Sequence, residues 1–284
     1  MTSVRMEVRV LITVPRPKSL VTPYLLHTMN LLIQEQIAKV FTVHKGIPLF
    51  YIESGSRLWN IASPNSDYDV RGFHLQSQEQ YYDFRKHRDV IEVMDGDFDF
   101  VSYDLDKMFG LLAQGNPNTY EWIRAHLIYF NALPDWSSFS KELTNHLNFS
   151  NLYYHYFSLA KTHWKLLASG NKFTYKVVFY CLRGLLSADI ARQGILPELT
   201  VEKLFDQFDT NFPVLSMAKE SLERKQQELE TQEVAEAERG SMVRVIQEYM
   251  SSMESNQPRR EDKAESLERM LREYNFQLKN QFYR

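Results

Sequence analysis

Two hydrophobic periods run along the chain. Leu25, Met29, Leu32, Ile33 and Ile37 recur at helical spacing, which predicts an amphipathic helix over about 22–42, with Thr22 as N-cap and Pro23 at its first position. Residues 48–53 form a short apolar run that reads as a strand. Gly55-Ser56 breaks it, a short helix can start over 57–61, 62–66 carry turn chemistry, and 67–75 alternate as the next strand. Two more alternating runs, 89–94 and 97–103, flank Asp95-Gly96, a dipeptide that signals a hairpin. Asp104 is placed to cap a helix over Met108, Leu111 and Leu112; Asn116-Pro117 ends it, and another helix carries Tyr120, Trp122 and Ile123.

From about residue 140 the strand signals fade, and 152–167, 176–192 and 201–208 read as helices. Strands first and helices later is the pattern of an α+β protein. After about 218 the composition shifts to Glu, Gln, Lys and Arg, the signature of a solvated helix or a flexible segment. Residues 251–263 are the best linker candidate. Leu267, Met270, Leu271, Tyr274 and Leu278 form a final amphipathic stripe, suited either to packing on the body of the same chain or to association with itself or another partner.

Composition narrows the function classes. The chain has 284 residues, 44% hydrophobic and 24% charged, enough for one large domain or two modest ones. No stretch approaches the roughly 18 consecutive apolar residues of a membrane span, and the N-terminus lacks the small-residue cleavage site of a signal peptide. The single cysteine, Cys181, excludes an intramolecular disulfide and a Cys-based zinc site; it reads as a buried thiol in a reducing, cytoplasmic compartment. The net charge of −3 means that any nucleic-acid contact must be local.

The chemistry concentrates in SGSRLWNIASPNSDYDV, residues 54–70. Gly55 has no side chain, so a phosphate can approach its backbone. Ser56 opens a helix whose free N–H groups suit that phosphate, and its hydroxyl adds a donor. Asp67 and Asp69 are two apart on a strand, so both carboxylates project from one face. Paired carboxylates repel unless a cation sits between them, and hard oxygen ligands suit Mg2+ or Mn2+ bridging a nucleoside triphosphate. A third acid belongs on a neighbouring strand: Asp99, set between Phe98 and Phe100, fits better than Asp97 beside the turn.

GSRLWNIASPNSDYDVRGF resembles the signature of the polymerase-beta-type nucleotidyltransferases associated with RNA repair, the RlaP-like family. So do YDLDK (103–107), NPNTYEW (116–122) and YKVVFYCLRGLL (175–186), in the family's order, and together they cover about 45–200. The resemblance implies a small mixed β-sheet flanked by helices, followed by a helical domain. The corresponding divisions are a catalytic core over 1–145, a helical nucleotide- or substrate-binding domain over 146–250, and a linker with a C-terminal helix over 251–284. It implies Gly55 and Ser56 for the triphosphate and Asp67, Asp69 and Asp99 for metal. Lys176 and Arg183 share a helix face and either reach the nucleotide phosphates or form a solvated cationic face. Arg57 and Arg71 match the pattern and hold a phosphate, a carboxylate or a structural ion pair. The implied activity is transfer of a nucleoside monophosphate to an acceptor hydroxyl, with RNA the favoured acceptor. The alternative is a nucleotide-binding regulatory protein with little turnover. Two positions depart from the pattern: Asn60 stands where glycine is usual, and Asp106 replaces a basic residue, which bears on a substrate contact. His74 follows the acidic strand and is within reach of the site; the other histidines have ordinary packing or surface roles. The aromatic-rich 153–164 segment reads as core rather than as a base-stacking platform.

Overall fold

The computed structural model describes residues 23–63, 66–170, 172–227, 233–260 and 265–283. Thr22, the expected cap of the first helix, lies outside them. Five strands form one sheet in the order β3-β4-β2-β1-β5: β1 (Ile47–Glu53), β2 (Tyr68–Leu75), β3 (Val90–Asp95), β4 (Phe98–Asp104) and β5 (Ile128–Asn131). β2 and β4 run parallel while the other pairs are antiparallel, so the sheet is mixed and the fold is α+β. The β3–β4 hairpin turns at Asp95-Gly96 as expected, with Gly96 at φ 59°.

Alternation along the strands separates two faces. One carries Tyr51, Val70, Phe98 and Phe100 and is covered by α1 (Pro23–Val43) through Met29, Ile33, Ile37 and Val40. The other carries Phe50, Ile52, Phe73 and Leu75, continuous with the main core. There it meets α4 (Leu105–Ala113), α5 (Pro117–Arg124) and α6 (Trp136–Asn145), and the core extends into α7 (Phe149–Ala168) and α8 (Tyr175–Arg192). α7 and α8 pack so closely that a Cβ on Gly184 would sit 3.0 Å from that of Ala160. Tyr153, Tyr156 and Phe157 are buried there, the core role expected of the aromatic segment. Cys181 is buried too, and burial pushes its thiol up to about 12.

The helices begin where local chemistry allows. Asp104 caps α4 by accepting from Asp106 N, and Asn116 caps α5 with Pro117 in its first turn. Three elements escape the sequence pattern: β5, α6 and the five-residue α3 (Gln78–Tyr82), which is held by a Ser77/Gln80 capping box.

The charged C-terminal third is more ordered than its composition indicates. After α9 (Val201–Asp206), α10 (Pro213–Gln226) buries Val214, Leu215, Ala218 and Ser221, and Lys225 is fully buried, donating to the carbonyl of Ile61 at 2.9 Å. α11 (Glu236–Ser255) buries Met242, Ile246, Met250 and Met253, so the first five residues of the expected linker are helical; methionine spacing marks the face that charge density hides. In α12 (Glu265–Phe282) Leu267, Leu271 and Leu278 join the chain's own core. Of the two roles open to that stripe, packing on the same chain is the one observed. Asp106 accepts from Asn275 Nδ2 at 2.7 Å and pairs with Lys279 at 2.6 Å. A basic residue at 106 would repel that lysine, so the departure noted at this position secures α12.

β1 leaves no room for a side chain at Gly72 of β2, where a Cβ would lie 2.0 Å from the carbonyl oxygen of Phe50 and 2.9 Å from Tyr51 Cα. The obstacle is backbone and cannot rotate away. Gly72→Ala is expected to destabilise the chain by about 1–3 kcal/mol or more in denaturant unfolding; a change within about 0.5 kcal/mol contradicts this packing.

Candidate active site

β1 ends at Glu53, and the chain turns through Ser54 into the single turn of α2 (Gly55–Leu58). Gly55 has φ 58°, and a Cβ there would lie 2.1 Å from Asp69 Oδ2. Only glycine combines that left-handed backbone with room for the carboxylate. Asn60, at φ 59°, takes the other left-handed position, which explains how it stands in for glycine. The chain returns as β2, with Asp67 exposed immediately before it and Asp69 on its second residue. Parallel pairing sets Asp69 opposite Asp99 on the neighbouring strand β4. Asp97 is the residue whose carbonyl accepts from Tyr68 N, at the start of the pairing.

Arg71 lies two residues beyond Asp69 on the same face. Its Nη2 contacts Asp69 Oδ1 at 2.9 Å and Asp99 Oδ2 at 2.7 Å, and Nη1 donates to Asp99 O at 2.6 Å. Of the roles open to Arg71, the structural ion pair is the one observed. Burial raises the pKa of Asp69; Arg71 pulls it down, while Asp99 and Asp67 push it up again. Among the described residues no three acid, imidazole or thiol groups are already grouped to hold a metal ion. The all-oxygen donor set of Asp67, Asp69 and Asp99 nevertheless fits a hard divalent cation, and the Arg71 guanidinium lies between two of these acids.

Asp67 and Asp69 open onto a cavity of about 520 Å3 between the sheet and α5, α7 and α8, a volume in the range of small-molecule sites, while Asp99 lies beside Asp69 without lining it. Gly55, Ser56, Asp67, Asp69, Arg71, Lys176 and Arg183 line it. Arg57 is not among the lining residues: its guanidinium donates to the carbonyls of Ser66 (2.8 Å) and Asp67 (3.1 Å) and stacks on Tyr68, so it straps the loop that delivers the acids. His74 lies on the other face, bonded to Ser102 at 2.7 Å, and burial takes its pKa down to about 4; the alternation of β2 turns it away from the cavity.

Arg183 lines the cavity without being a free cation. Its side chain is 4% exposed, lies 3.6 Å from the ring centroid of Trp59 and pairs with Glu121 at 3.3 Å. Glu121 also accepts from Tyr156 Oη (2.7 Å) and Trp59 Nε1 (3.2 Å). Burial alone raises the Glu121 pKa, but Arg183 and these two donors outweigh it and leave the carboxyl below its ordinary range. Among the described residues Arg183 Nε has no acceptor, although it is buried.

Sequence reasoning passed over Glu53 and Glu121. Glu53 is fully buried behind the site, accepting from Asp69 N at 3.0 Å and from the Tyr129 hydroxyl. Its signal was an acid closing an otherwise apolar strand. Glu121 was visible within NPNTYEW, and Tyr103 sits two alternation steps from Asp99.

Burial raises the Glu53 pKa from 4.5 to about 7, against the lowering effect of Tyr129 and the Asp69 N–H. A raised carboxyl contributes stability that is complete below the unfolded pKa and lost as pH rises through the folded one. Glu53→Gln therefore gains on wild type between pH 5 and pH 8, by up to on the order of 3 kcal/mol; thermal melts showing the same difference at both pH values contradict this. Glu121→Gln is expected to cost on the order of 3 kcal/mol by leaving Arg183 buried and uncompensated. Adding Arg183→Met should recover part of that loss, and additive losses contradict the pairing.

The sequence has recognisable relatives among known proteins. The chain is 27% identical over 231 residues to the uncharacterised protein YcgL of Bacillus subtilis, covering 80% of this chain and 89% of that protein. It is 30% identical over 154 residues to the uncharacterised protein MJ0002 of Methanocaldococcus jannaschii, covering 53% and 60%. Among solved structures, a nucleotidyltransferase-like protein from Exiguobacterium sibiricum aligns over 80% of this chain and 76% of its own, at 12% identity and a TM-score of 0.31, too low to carry an argument. The family model described as the RNA repair pathway DNA polymerase beta family, RlaP, matches residues 29–273, and the chain belongs to that family.

Proposed function

We propose that the chain is a metal-dependent nucleotidyltransferase that moves a nucleoside monophosphate from a nucleoside triphosphate to an acceptor hydroxyl and releases pyrophosphate. The observation that carries this reading is the in-register placement of Asp69 and Asp99, with Asp67 at the strand entry and the Gly55-Ser56 turn against Asp69. Family membership supports the general class.

Each residue's part follows from its place. The bare backbone of Gly55 and the Ser56 hydroxyl take the distal phosphates. Lys176, on the opposite wall, offsets their charge. Arg183 supplies its unpartnered Nε to a ligand oxygen while Glu121 and Trp59 hold its plane. Asp67, Asp69 and Asp99 would hold Mg2+ or Mn2+. Bound there, such ions supply charge stabilisation to the attacking and leaving oxygens. β4 lies across β2 from β1, so Asp99 is the acid remote from the Gly-Ser turn. That position suits it to receive the proton of an incoming hydroxyl. Arg71 must release at least one carboxylate to allow this, and is then free to grip a phosphate. The family's association with RNA repair makes an RNA end the proposed acceptor. Among the described residues no helix is long and apolar enough to cross a membrane, and a cytoplasmic location is proposed.

Arg71 also favours a second reading. A guanidinium that already neutralises Asp69 and Asp99 fits a nucleotide-binding regulatory protein with little turnover.

Incubating the chain with each triphosphate and Mg2+ or Mn2+, with and without RNA, separates the two. Asp69→Ala is expected to lower pyrophosphate release at least about a hundredfold, leaving the unfolding midpoint within a few degrees. Normal turnover by that variant contradicts the first reading; nucleotide binding by wild type without turnover supports the second.

A further inference from the structure

We infer that the end of the cavity formed by Tyr103, Trp122 and Asn118 is a nucleobase subsite, and that Asn118 decides which base is accepted. The inference rests on the triphosphate reading above and goes beyond it by naming what selects the nucleotide.

β4 supplies the spacing. Asp99, Val101 and Tyr103 alternate onto one face, and four residues of strand place the Tyr103 position about 13 Å from that of Asp99. A nucleotide with its phosphates at the acids and the Gly-Ser turn thus has its sugar beside Val101 and its base beside Tyr103. The Tyr103 ring is half-buried and packed on Trp122 at 4.8 Å between centroids, tilted by 34°. Trp122 is itself 5% exposed, so the platform is rigid before any ligand arrives. Stacking on such a platform tolerates every base and supplies affinity rather than choice.

Choice needs a polar edge. Asn118 stands in the first turn of α5, whose start is fixed by the Asn116 cap and Pro117. It lines the cavity and is exposed, and its carboxamide makes no bond to another described residue. A carboxamide offers a donor and an acceptor side by side, the pairing that reads a base edge. Glu121, the carboxylate nearest in sequence, is locked by Arg183, Tyr156 and Trp59 and is not free to compete.

The test is equilibrium binding of ATP, GTP, CTP, UTP and inorganic tripolyphosphate, each with Mg2+, to the full chain and its Asn118→Ala and Tyr103→Leu variants. Wild type should prefer one base by about tenfold, as a site that hydrogen-bonds its ligand can. Asn118→Ala should bring the four nucleotides within about twofold of one another while tripolyphosphate binds as before. Tyr103→Leu should weaken all four about tenfold, the loss of one stacking contact, again sparing tripolyphosphate. Should Tyr103→Leu fail to fold, Asn118→Ala and Asn118→Asp carry the test, since Asn118 is exposed. Nucleotides that bind no tighter than tripolyphosphate overturn the subsite and leave the triphosphate reading standing. A wild-type base preference that survives in both Asn118 variants overturns the role given to Asn118. A wild type with no base preference overturns the role given to Asn118. A wild type that binds neither nucleotides nor tripolyphosphate overturns the triphosphate reading, and the subsite with it.

Discussion

The parallel pairing of β2 with β4 sets Asp69 beside Asp99, and that adjacency governs the rest of the site. Two carboxylates on neighbouring strands repel, and burial makes the repulsion costlier. The chain answers with Arg71, whose guanidinium contacts both. Everything nearby keeps this arrangement aligned. Glu53 holds the Asp69 backbone from behind, Arg57 straps the preceding loop, and Gly55 makes room for the carboxylate. A divalent cation is the other natural answer to the same repulsion, and exchange between the two answers is the physical core of the proposed chemistry.

The helical half is fastened to this sheet through a second buried charge. Glu121 on α5 joins Trp59 after the Gly-Ser turn, Tyr156 on α7 and Arg183 on α8. Four elements from distant parts of the sequence meet on one carboxylate. Lys225 on α10 adds a further tie to the same loop at Ile61. The cavity is therefore walled by both halves, with Asp67 and Asp69 on the sheet side and Tyr103, Trp122 and Asn118 also in its lining.

Much of this was legible from sequence because it is local. Alternation gave β2 and β4, Asp95-Gly96 gave the hairpin, and the Gly-Ser and Asp-Tyr-Asp spacing singled out Asp67 and Asp69. What escaped was long-range. Nothing local shows that Arg183 meets a buried Glu121, or that Arg57 turns towards backbone carbonyls instead of the cavity. The β5 strand is only four residues long and sits at the sheet edge, too short for periodicity to reveal. In α10 and α11 high charge density masked the buried faces, because one apolar residue per turn suffices when a large core is already present.

The most direct test of the central claim is a crystal structure with Mn2+ and a non-hydrolysable nucleoside triphosphate, read by anomalous scattering. The account predicts manganese signal at coordination distance from Asp67 and Asp69, phosphates on Ser56, and Arg71 detached from at least one of its two acids. Manganese and triphosphate bound elsewhere, with Arg71 still bridging Asp69 and Asp99, contradict it.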